Sequence, residues 1–150
     1  MKIEFKNAGI QDLDKLLILM HEYFDFHDLP FDVPAARSAL QELLLNPRLG
    51  KVWVIEADTR PVGYLALYFV FNLQHHGRNA VVEDIYLKGG YMGQGVRGMA
   101  LQHVEKFCVQ TGIQAIFLQV NRADLGAQDF YRNVGYAAQD YLLMSKHFYR

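Results

Sequence analysis

The chain has 150 residues, 51% of them hydrophobic, and a formal net charge of −1. This length fits one domain, and the apolar fraction is sufficient for a sizeable core. The near-neutral charge without a basic run argues against a nucleic-acid partner. The N-terminus MKIEFKNAGI lacks the apolar segment of a signal peptide, and the longest apolar run, Tyr64–Phe71, is too short to span a membrane. The one cysteine, Cys108, excludes an internal disulfide, so we expect a cytoplasmic protein.

Hydrophobic periodicity predicts a strand and two helices in the first third of the chain. KIEFKN (residues 2–7) alternates and predicts a first strand. Apolar residues at helical spacing then predict an amphipathic helix over roughly Gln11–Phe24. Pro34 suits the first turn of a second helix, which ends near Leu45 and has its cap just before this proline.

Runs of β-rich sequence and turn signals organise the rest of the chain. KVWVIEA (51–57) and VGYLALYFV (62–70) flank DTRP and predict a hairpin, and a polar loop (72–79) leads to the strand AVVEDIYL (80–87). A glycine loop, a long helix to about Gln110, a strand (113–120), a short helix within 126–136 and a closing strand (141–148) follow. The order β-α-α-β-β-β-α-β-α-β predicts a single α/β domain over residues 1–150, with an α+β-like mixed sheet covered by helices.

The glycine loop has two interpretations, because Gly93, Gly95 and Gly98 spell G-x-G-x-x-G. A helix N-terminus binds anions, and glycines let the backbone approach a phosphate, whether it belongs to a dinucleotide or to coenzyme A. A dinucleotide-binding fold places the first glycine at the strand end and an acidic residue about twenty positions later. Here residues 88–92 intervene, and the next strand ends at Gln119–Val120, which is not acidic. The context therefore argues against NAD.

Two longer stretches favour the second interpretation. VVEDIYLKGGYMGQGVRGMALQHVEKF (81–107) resembles the cofactor-binding motif of the GNAT superfamily of N-acetyltransferases, and LQVNRADLGAQDFYRNVGY (118–136) resembles the second motif of that family. Both occur in the family's order, and the likeness covers nearly the whole chain. It implies the GNAT fold, in which a central mixed sheet is splayed between two parallel strands, here Ala80–Leu87 and Ala115–Val120, with helices on both faces.

The same resemblance implies an acetyl-CoA-dependent N-acetyltransferase that works by direct attack of a primary amine of a small molecule, with a polyamine-like amine as one class. Two alternatives stay open: a non-catalytic acyl-CoA-binding module of the same fold, and an acetyltransferase for a peptide or protein amine. Many relatives dimerise, so a homodimer is one expectation. We expect no metal, no nucleic acid and no membrane partner.

The resemblance also assigns cofactor-binding residues. Backbone groups of the first parallel strand would pair with the pantetheine arm, at Ile85, Tyr86 and Leu87. Amides of the glycine loop would meet the phosphates, at Met92, Gly93, Gln94, Gly95, Val96, Arg97 and Gly98. The second motif would add Asn121, Asp124, Ala127 and Phe130. A backbone N–H near Leu87 would polarise the thioester carbonyl, as an oxyanion site does.

The candidate catalytic residues follow from the protons that the reaction must move. A lysine-like amine has a pKa of about 10.4 and arrives protonated, so a base must take a proton. Glu83 is the first candidate and Asp84 the second; they alternate along the strand, so one of them faces the cleft, and a plain strand-edge carboxylate is the other possibility. Tyr131 occupies the family's acid position and would protonate the thiolate, unless it only packs on its helix.

Three positions depart from the family pattern, and they motivate the non-catalytic alternative. Met92 stands where an Arg or Gln is usual, Arg97 stands at a Gly/Ala position, and Asp124 replaces an Asn, with Asn121 three residues earlier. Arg97 either contacts a phosphate or points into water. Asp124 can accept hydrogen bonds but, unlike Asn, cannot donate them.

Polar residues crowd the end of the first predicted helix, at His21, Glu22, Asp25, His27 and Asp28. His21 and Asp25 share a helix face, which is compatible with a metal, but no further cluster completes a ligand set. A solvated polar face is therefore expected. In the family this region borders the acceptor, and its acidity suits a cation.

Overall fold

The computed structural model describes residues 1–93 and 95–148. These described residues divide into two compact units, the first up to Gln119 and the second from Val120 onward. The first unit contains β1 (Ile3–Asn7), α1 (Leu13–Phe26), α2 (Val33–Leu45), β2 (Gly50–Ala57), β3 (Arg60–Asn72), β4 (Gly77–Leu87), α3 (Val96–Gln110) and β5 (Ile116–Leu118). The second unit contains α4 (Leu125–Asn133). The predicted order of elements is confirmed from β1 to α4.

The strands form one mixed sheet in the order β1-β2-β3-β4-β5. The first four are antiparallel neighbours, and β5 pairs parallel to β4 after the crossover through α3. Asp58 and Thr59 connect β2 to β3 with φ values of 48° and 70°, the left-handed conformation that suits a tight hairpin turn. The predicted α/β fold with a mixed sheet is thus confirmed.

Helices cover both faces of this sheet, as predicted. On one face, α3 buries Val96, Ala100 and Val104 against Trp53, Ile55, Leu65 and Leu67. On the other face, α1 and α2 bury Leu16, Leu17, Leu19 and Leu40 against Val52, Val54, Tyr64 and Ala66. The Asp32 carboxylate accepts a hydrogen bond from the Ala35 N–H (3.1 Å) and caps α2, which confirms the predicted start of that helix.

The structure corrects two predicted boundaries and one predicted strand. The polar loop is shorter than 72–79, because the β3–β4 ladder continues to the pair Asn72 and Gly77. The fifth strand pairs only over Ile116–Leu118. The closing strand predicted at 141–148 is absent from this described segment. Its apolar residues are consecutive rather than alternating, and Leu142 and Met144 are 75% and 87% exposed, so no buried face fixes a register.

Candidate active site

The strand β4 carries one residue more than its partner. Ala66 of β3 lies opposite Asp84, and Leu67 lies opposite Val82, so Glu83 has no partner on β3. Such a β-bulge bends its strand and interrupts the alternation of side chains.

The bulge decides which side chains of β4 reach which face. Val82 and Ile85, three residues apart, both pack on the α3 face of the sheet. Asp84 and Tyr86 therefore lie on the face covered by α1 and α2, where Tyr86 packs against the core. The sequence predicts that the side chains of Glu83 and Asp84 alternate regularly between the two faces. The bulge interrupts this alternation at Glu83.

The two parallel strands part at the bulge. The β4–β5 ladder runs from the pair Ala80 and Ile116 to the pair Val82 and Leu118. Beyond it, β4 continues to Leu87 paired with β3 alone among the described residues. A cavity of about 160 Å³ opens at this point, lined by Tyr68, Val81, Val82, Glu83 and Gln119. Both parallel strands and their splayed arrangement agree with the prediction.

Asp84 is half-buried and fixed by phenols. The Tyr64 hydroxyl donates a hydrogen bond to Asp84 Oδ2 at 2.9 Å. Burial raises the pKa of Asp84, and hydrogen bonds from Tyr64 and Tyr23 oppose that rise. Burial, together with the Asp84 charge, raises the pKa of Tyr64 far above its ordinary value, so this phenol stays a donor.

Glu83 differs from its neighbour in environment. It is exposed on the bulge and lines the cavity where the strands part. Its pKa is raised, first by desolvation from the surrounding protein and second by the negative charge of Asp84. Like charges on adjacent residues disfavour simultaneous ionisation.

A second carboxylate lies on the same face, at the end of α1. The Tyr86 hydroxyl donates a hydrogen bond to Glu22 Oε2 at 2.9 Å, and Lys88 Nζ lies 3.7 Å from Glu22 Oε1. Burial and the bond to Glu22 raise the pKa of Tyr86 to about 12.

Three phenol rings connect these two carboxylates. The Tyr23, Tyr64 and Tyr86 rings, which we call the tyrosine wall, have centroids 6.0 to 6.3 Å apart. Sequence reasoning named Glu22 only as part of a polar face and did not single out Tyr23. The feature that could have revealed the tyrosine wall is the pairing of Tyr64 with Tyr86 on adjacent antiparallel strands, across the β3–β4 hairpin.

The glycine loop leads into the N-terminus of α3. Gly95 caps this helix with a φ of 74°, a conformation that favours glycine, and as a glycine it offers no side chain to cap the first turn. A Cβ added at Gly93 or Gly98 would meet no atom within 4 Å. Open space at these glycines and the positive end of the α3 dipole fit a phosphate-bearing ligand. Gln94 lies outside the described residues, and Met92 is 41% exposed.

The second unit holds the residues of the second motif. Asp124 caps α4, because its carboxylate accepts a hydrogen bond from the Ala127 N–H at 3.0 Å. The Asn121 side-chain oxygen accepts one from the Ala123 N–H at 2.9 Å. Asp at position 124 thus performs the capping that Asn would perform.

Tyr131 lies on α4 and is half-buried within the same unit. Its ring contacts those of Phe130 and Tyr136, with centroids 5.2 and 5.9 Å apart. The first-motif residues are therefore gathered in the first unit, and Tyr131 and Phe130 belong to the second.

The polar end of α1 forms ring contacts rather than a ligand set. His21 stacks on Phe31 at 4.7 Å, and His27 lies 4.4 Å from the Tyr23 ring. In the described part of the chain, no three His, Cys, Asp or Glu side chains come together as metal ligands would. None of the described helices combines the length and apolar character that crossing a membrane requires.

Comparison with known proteins places this geometry in context. Residues 14–136 match the model of the acetyltransferase (GNAT) family. Over 79 residues the chain is 35% identical to the thialysine N-epsilon-acetyltransferase of Bos taurus, a stretch that covers 53% of this chain and 45% of that protein. The chain thus spans about half the length of this curated relative.

Solved structures share the fold. An integron cassette protein from the mobile metagenome of Cole Harbour Salt Marsh superposes with a TM-score of 0.87 at 26% identity, over 97% of this chain and 91% of that one. A possible acetyltransferase from Clostridium difficile 630 superposes with a TM-score of 0.87 at 18% identity, over 100% of both chains. At that identity the second likeness concerns the fold alone.

Proposed function

Because this chain belongs to the acetyltransferase (GNAT) family, we propose that it transfers the acetyl group of acetyl-CoA to a primary amine of a small molecule. The observation that carries the proposal is the parting of β4 from β5 after Val82 and Leu118. It leaves the edge of β4 from Glu83 to Leu87 without a described partner strand, next to a cavity. An exposed strand edge offers backbone donors and acceptors to an extended ligand.

The donor would be held by backbone groups. Bound acetyl-CoA would supply an activated acetyl thioester. Ile85, Tyr86 and Leu87 would pair with the pantetheine arm along the free edge of β4. Amides between Met92 and Gly98 would bind the phosphates, where the α3 dipole favours negative charge. The loss of an Arg or Gln side chain at Met92 leaves these amides in place.

Glu83 is the base that we favour. Its raised pKa brings it closer to neutral pH, which improves a general base, and it lines the cavity where the strands part. Asp84, fixed by Tyr64, would hold the acceptor ammonium, and it is the second candidate for the base. Glu83 would first take one proton from the acceptor ammonium, so that the neutral amine nitrogen could bond to the acetyl carbon. The carbon–sulfur bond would break, the nitrogen would release its second proton to water, and the thiolate would be protonated.

Tyr131 would supply the proton that the departing sulfur needs. An ordinary phenol has a pKa of about 10, so it is protonated at neutral pH and can donate. Asn121, Asp124, Ala127 and Phe130 would support the cofactor from the second motif, with Asp124 acting through the start of α4.

The tyrosine wall supports a small cationic acceptor. Phenol rings and the carboxylates of Asp84 and Glu22 attract an ammonium group and pack against its aliphatic stem. The similar bovine protein is named for acetylating the ε-nitrogen of thialysine, a small molecule with a primary amine.

Calorimetric titration with acetyl-CoA, with NAD as the control ligand, is the first test. We expect saturable binding of acetyl-CoA and none of NAD. Amine acetylation should then fall by about 10²-fold or more in Tyr131→Phe, while acetyl-CoA affinity changes little. Failure to bind acetyl-CoA would overturn the proposal. Binding without turnover on any amine would assign the chain to the non-catalytic acyl-CoA-binding alternative.

A further inference from the structure

A second cavity, which we call the helix groove, lies between the two helices that cover one face of the sheet. Its volume is about 250 Å³, compared with about 160 Å³ for the cavity where the strands part. The lining residues described for the two cavities do not overlap. One side of the groove is formed by α1, and the other by Phe31 and by Val33 and Arg37 of α2. The proposed acetyl transfer gives this cavity no role.

The middle of the helix groove is apolar and open to water. The α1 side consists of Asp14, Leu17, Ile18 and His21, which lie on one helix face. The Ile18 and Val33 side chains are 63% and 46% exposed, so apolar surface stays in contact with water and would gain from being covered. A cavity of about 150 Å³ is large enough for benzene, so the groove has room for one ring with a short substituent.

One end of the helix groove is a flat aromatic surface. The His21 and Phe31 rings are stacked, with centroids 4.7 Å apart and planes inclined by 13°. The Phe24 ring packs edge-on against Phe31 at 5.1 Å and supports it from behind. Aromatic rings prefer offset-stacked or edge-to-face neighbours, which this end of the groove offers to a ligand ring.

The other polar feature of the groove is an arginine that a carboxylate holds in place. Asp14 Oδ1 accepts a hydrogen bond from Arg37 Nη2 at 2.8 Å. A guanidinium has five N–H donors, so this bond leaves others available. The Asp14 and Arg37 side chains are 82% and 48% exposed, so water screens the Asp14 charge more than the Arg37 charge. An ion pair this exposed contributes little to stability, and its main effect is to orient the guanidinium.

We propose that the helix groove binds a small aromatic carboxylate. The ring packs on the apolar middle beside the stacked rings of His21 and Phe31, and the carboxylate accepts hydrogen bonds from the remaining donors of Arg37. A ligand cation would instead meet the like charge of Arg37. The inference goes beyond the proposed acetyl transfer and does not depend on it.

The groove and the tyrosine wall lie on different sides of α1. Tyr23 follows His21 by two positions, which corresponds to about 200° around a helix. Tyr23 packs toward the sheet, against the core that contains Leu16 and Leu19. A ligand in the groove is therefore expected to bind together with acetyl-CoA rather than in competition with it.

Phenylacetate is the probe, and phenethyl alcohol is its control because it has the same ring and carbon chain without the charge. NMR titration of methyl-labelled protein should shift the signals of Leu17, Ile18 and Val33 saturably. For a ligand of this size we expect a Kd on the order of 1 mM. The alcohol should bind at least about 10-fold more weakly, because it lacks charge-assisted hydrogen bonds to Arg37. Saturating acetyl-CoA should leave the phenylacetate Kd unchanged.

Three variants test the role of the arginine. Arg37→Met should weaken phenylacetate binding by about 10-fold or more. Asp14→Asn keeps an acceptor for the guanidinium and removes the opposing charge, so it should bind phenylacetate at least as tightly as the wild type. The matched control is Arg132→Met on α4, because Arg132 also forms an ion pair, with Asp129, and its side chain is 53% exposed. It should leave the Kd unchanged.

Displacement of phenylacetate by acetyl-CoA, equal binding of the alcohol, or an unchanged Kd in Arg37→Met would overturn the inference. Methyl shifts that follow protein concentration without any ligand would also overturn it, because they would assign the groove to a second copy of the chain. Since every readout is binding at the groove, a failure of amine acetylation would count against the proposed function alone.

Discussion

Asp84 is a single residue of the proposed site whose burial lowers the stability of the folded state at neutral pH. Its carboxylate is removed from water and held by the Tyr64 phenol. Burial raises its pKa above the ordinary value of 3.8, so the folded state binds a proton more readily than the unfolded state does. The free energy of unfolding therefore decreases as the pH rises from 3.8 through the folded-state pKa, and the penalty is complete above that pKa.

Replacing this carboxylate by an amide should remove the penalty. Asp84→Asn keeps an oxygen that accepts from the Tyr64 hydroxyl, and we expect it to be at least as stable as the wild type near neutral pH. Its advantage should vanish below pH 3.8. Urea unfolding at both pH values measures this, with Tyr64→Phe as the control that strips the donor and destabilises. A less stable Asp84→Asn at neutral pH would mean that the ionised carboxylate stabilises the fold.

Asp124 has a structural role that explains its departure from the family pattern. Its carboxylate satisfies the Ala127 N–H at the start of α4. Asp124→Ala should cost about 1 kcal/mol of stability, whereas Asp124→Asn should cost little, because both residues are good caps. Chemical unfolding followed by circular dichroism compares the two. Equal losses would show that the negative charge, rather than the acceptor oxygen, is what α4 needs.

At the level of elements, two glycines at the start of α3, Gly95 and Gly98, differ in backbone conformation. Gly95 has a φ of 74°, while no positive φ is found at Gly98, inside the first turn. Neither would meet a neighbour if it gained a Cβ. Alanine substitutions at Gly95 and Gly98 therefore differ only in the backbone conformation that alanine must adopt, so each is a control for the other.

We expect the two alanine variants to shift stability in opposite directions. Gly95→Ala should lose about 1–2 kcal/mol because a left-handed conformation strains alanine. Gly98→Ala should gain about 0.5–1 kcal/mol because alanine favours a helix. Thermal unfolding measures both, and acetyl-CoA titration should show weaker binding for Gly95→Ala, whose amides are displaced. A stabilised Gly95→Ala would contradict the conformational argument.

Local patterns predicted the elements that depend on local chemistry. Pro34 and Asp32 determine the start of α2, and the DTRP turn determines the hairpin. The bulge at Glu83 could not be predicted, because it is defined by what lies opposite on β3. The approach of Glu22 to Tyr86 joins residues 64 positions apart, and no spacing rule covers that distance.

Across the whole molecule, binding and stability should be linked. Acetyl-CoA at about a hundred times its dissociation constant should raise the free energy of unfolding by about 2.7 kcal/mol. Because we propose that the loop amides bind the phosphates rather than the acetyl group, coenzyme A alone should give most of this gain, and NAD should give none. Unfolding midpoints with each ligand measure the effect. Equal stabilisation by NAD would indicate that the loop accepts any pyrophosphate.

The bulge also determines how β4 can be altered. Eleven residues of β4 face ten of β3, so Glu83 is the supernumerary one. Deleting it would let Asp84 follow Val82 directly, and every remaining side chain of the strand would keep its present face. Deletion of Glu83 therefore leaves the other side chains of β4 on the faces that they now occupy. Glu83→Gln would abolish a charge and keep the kink, whereas the deletion would straighten the strand, so the two together separate proton transfer from the shape of the cleft.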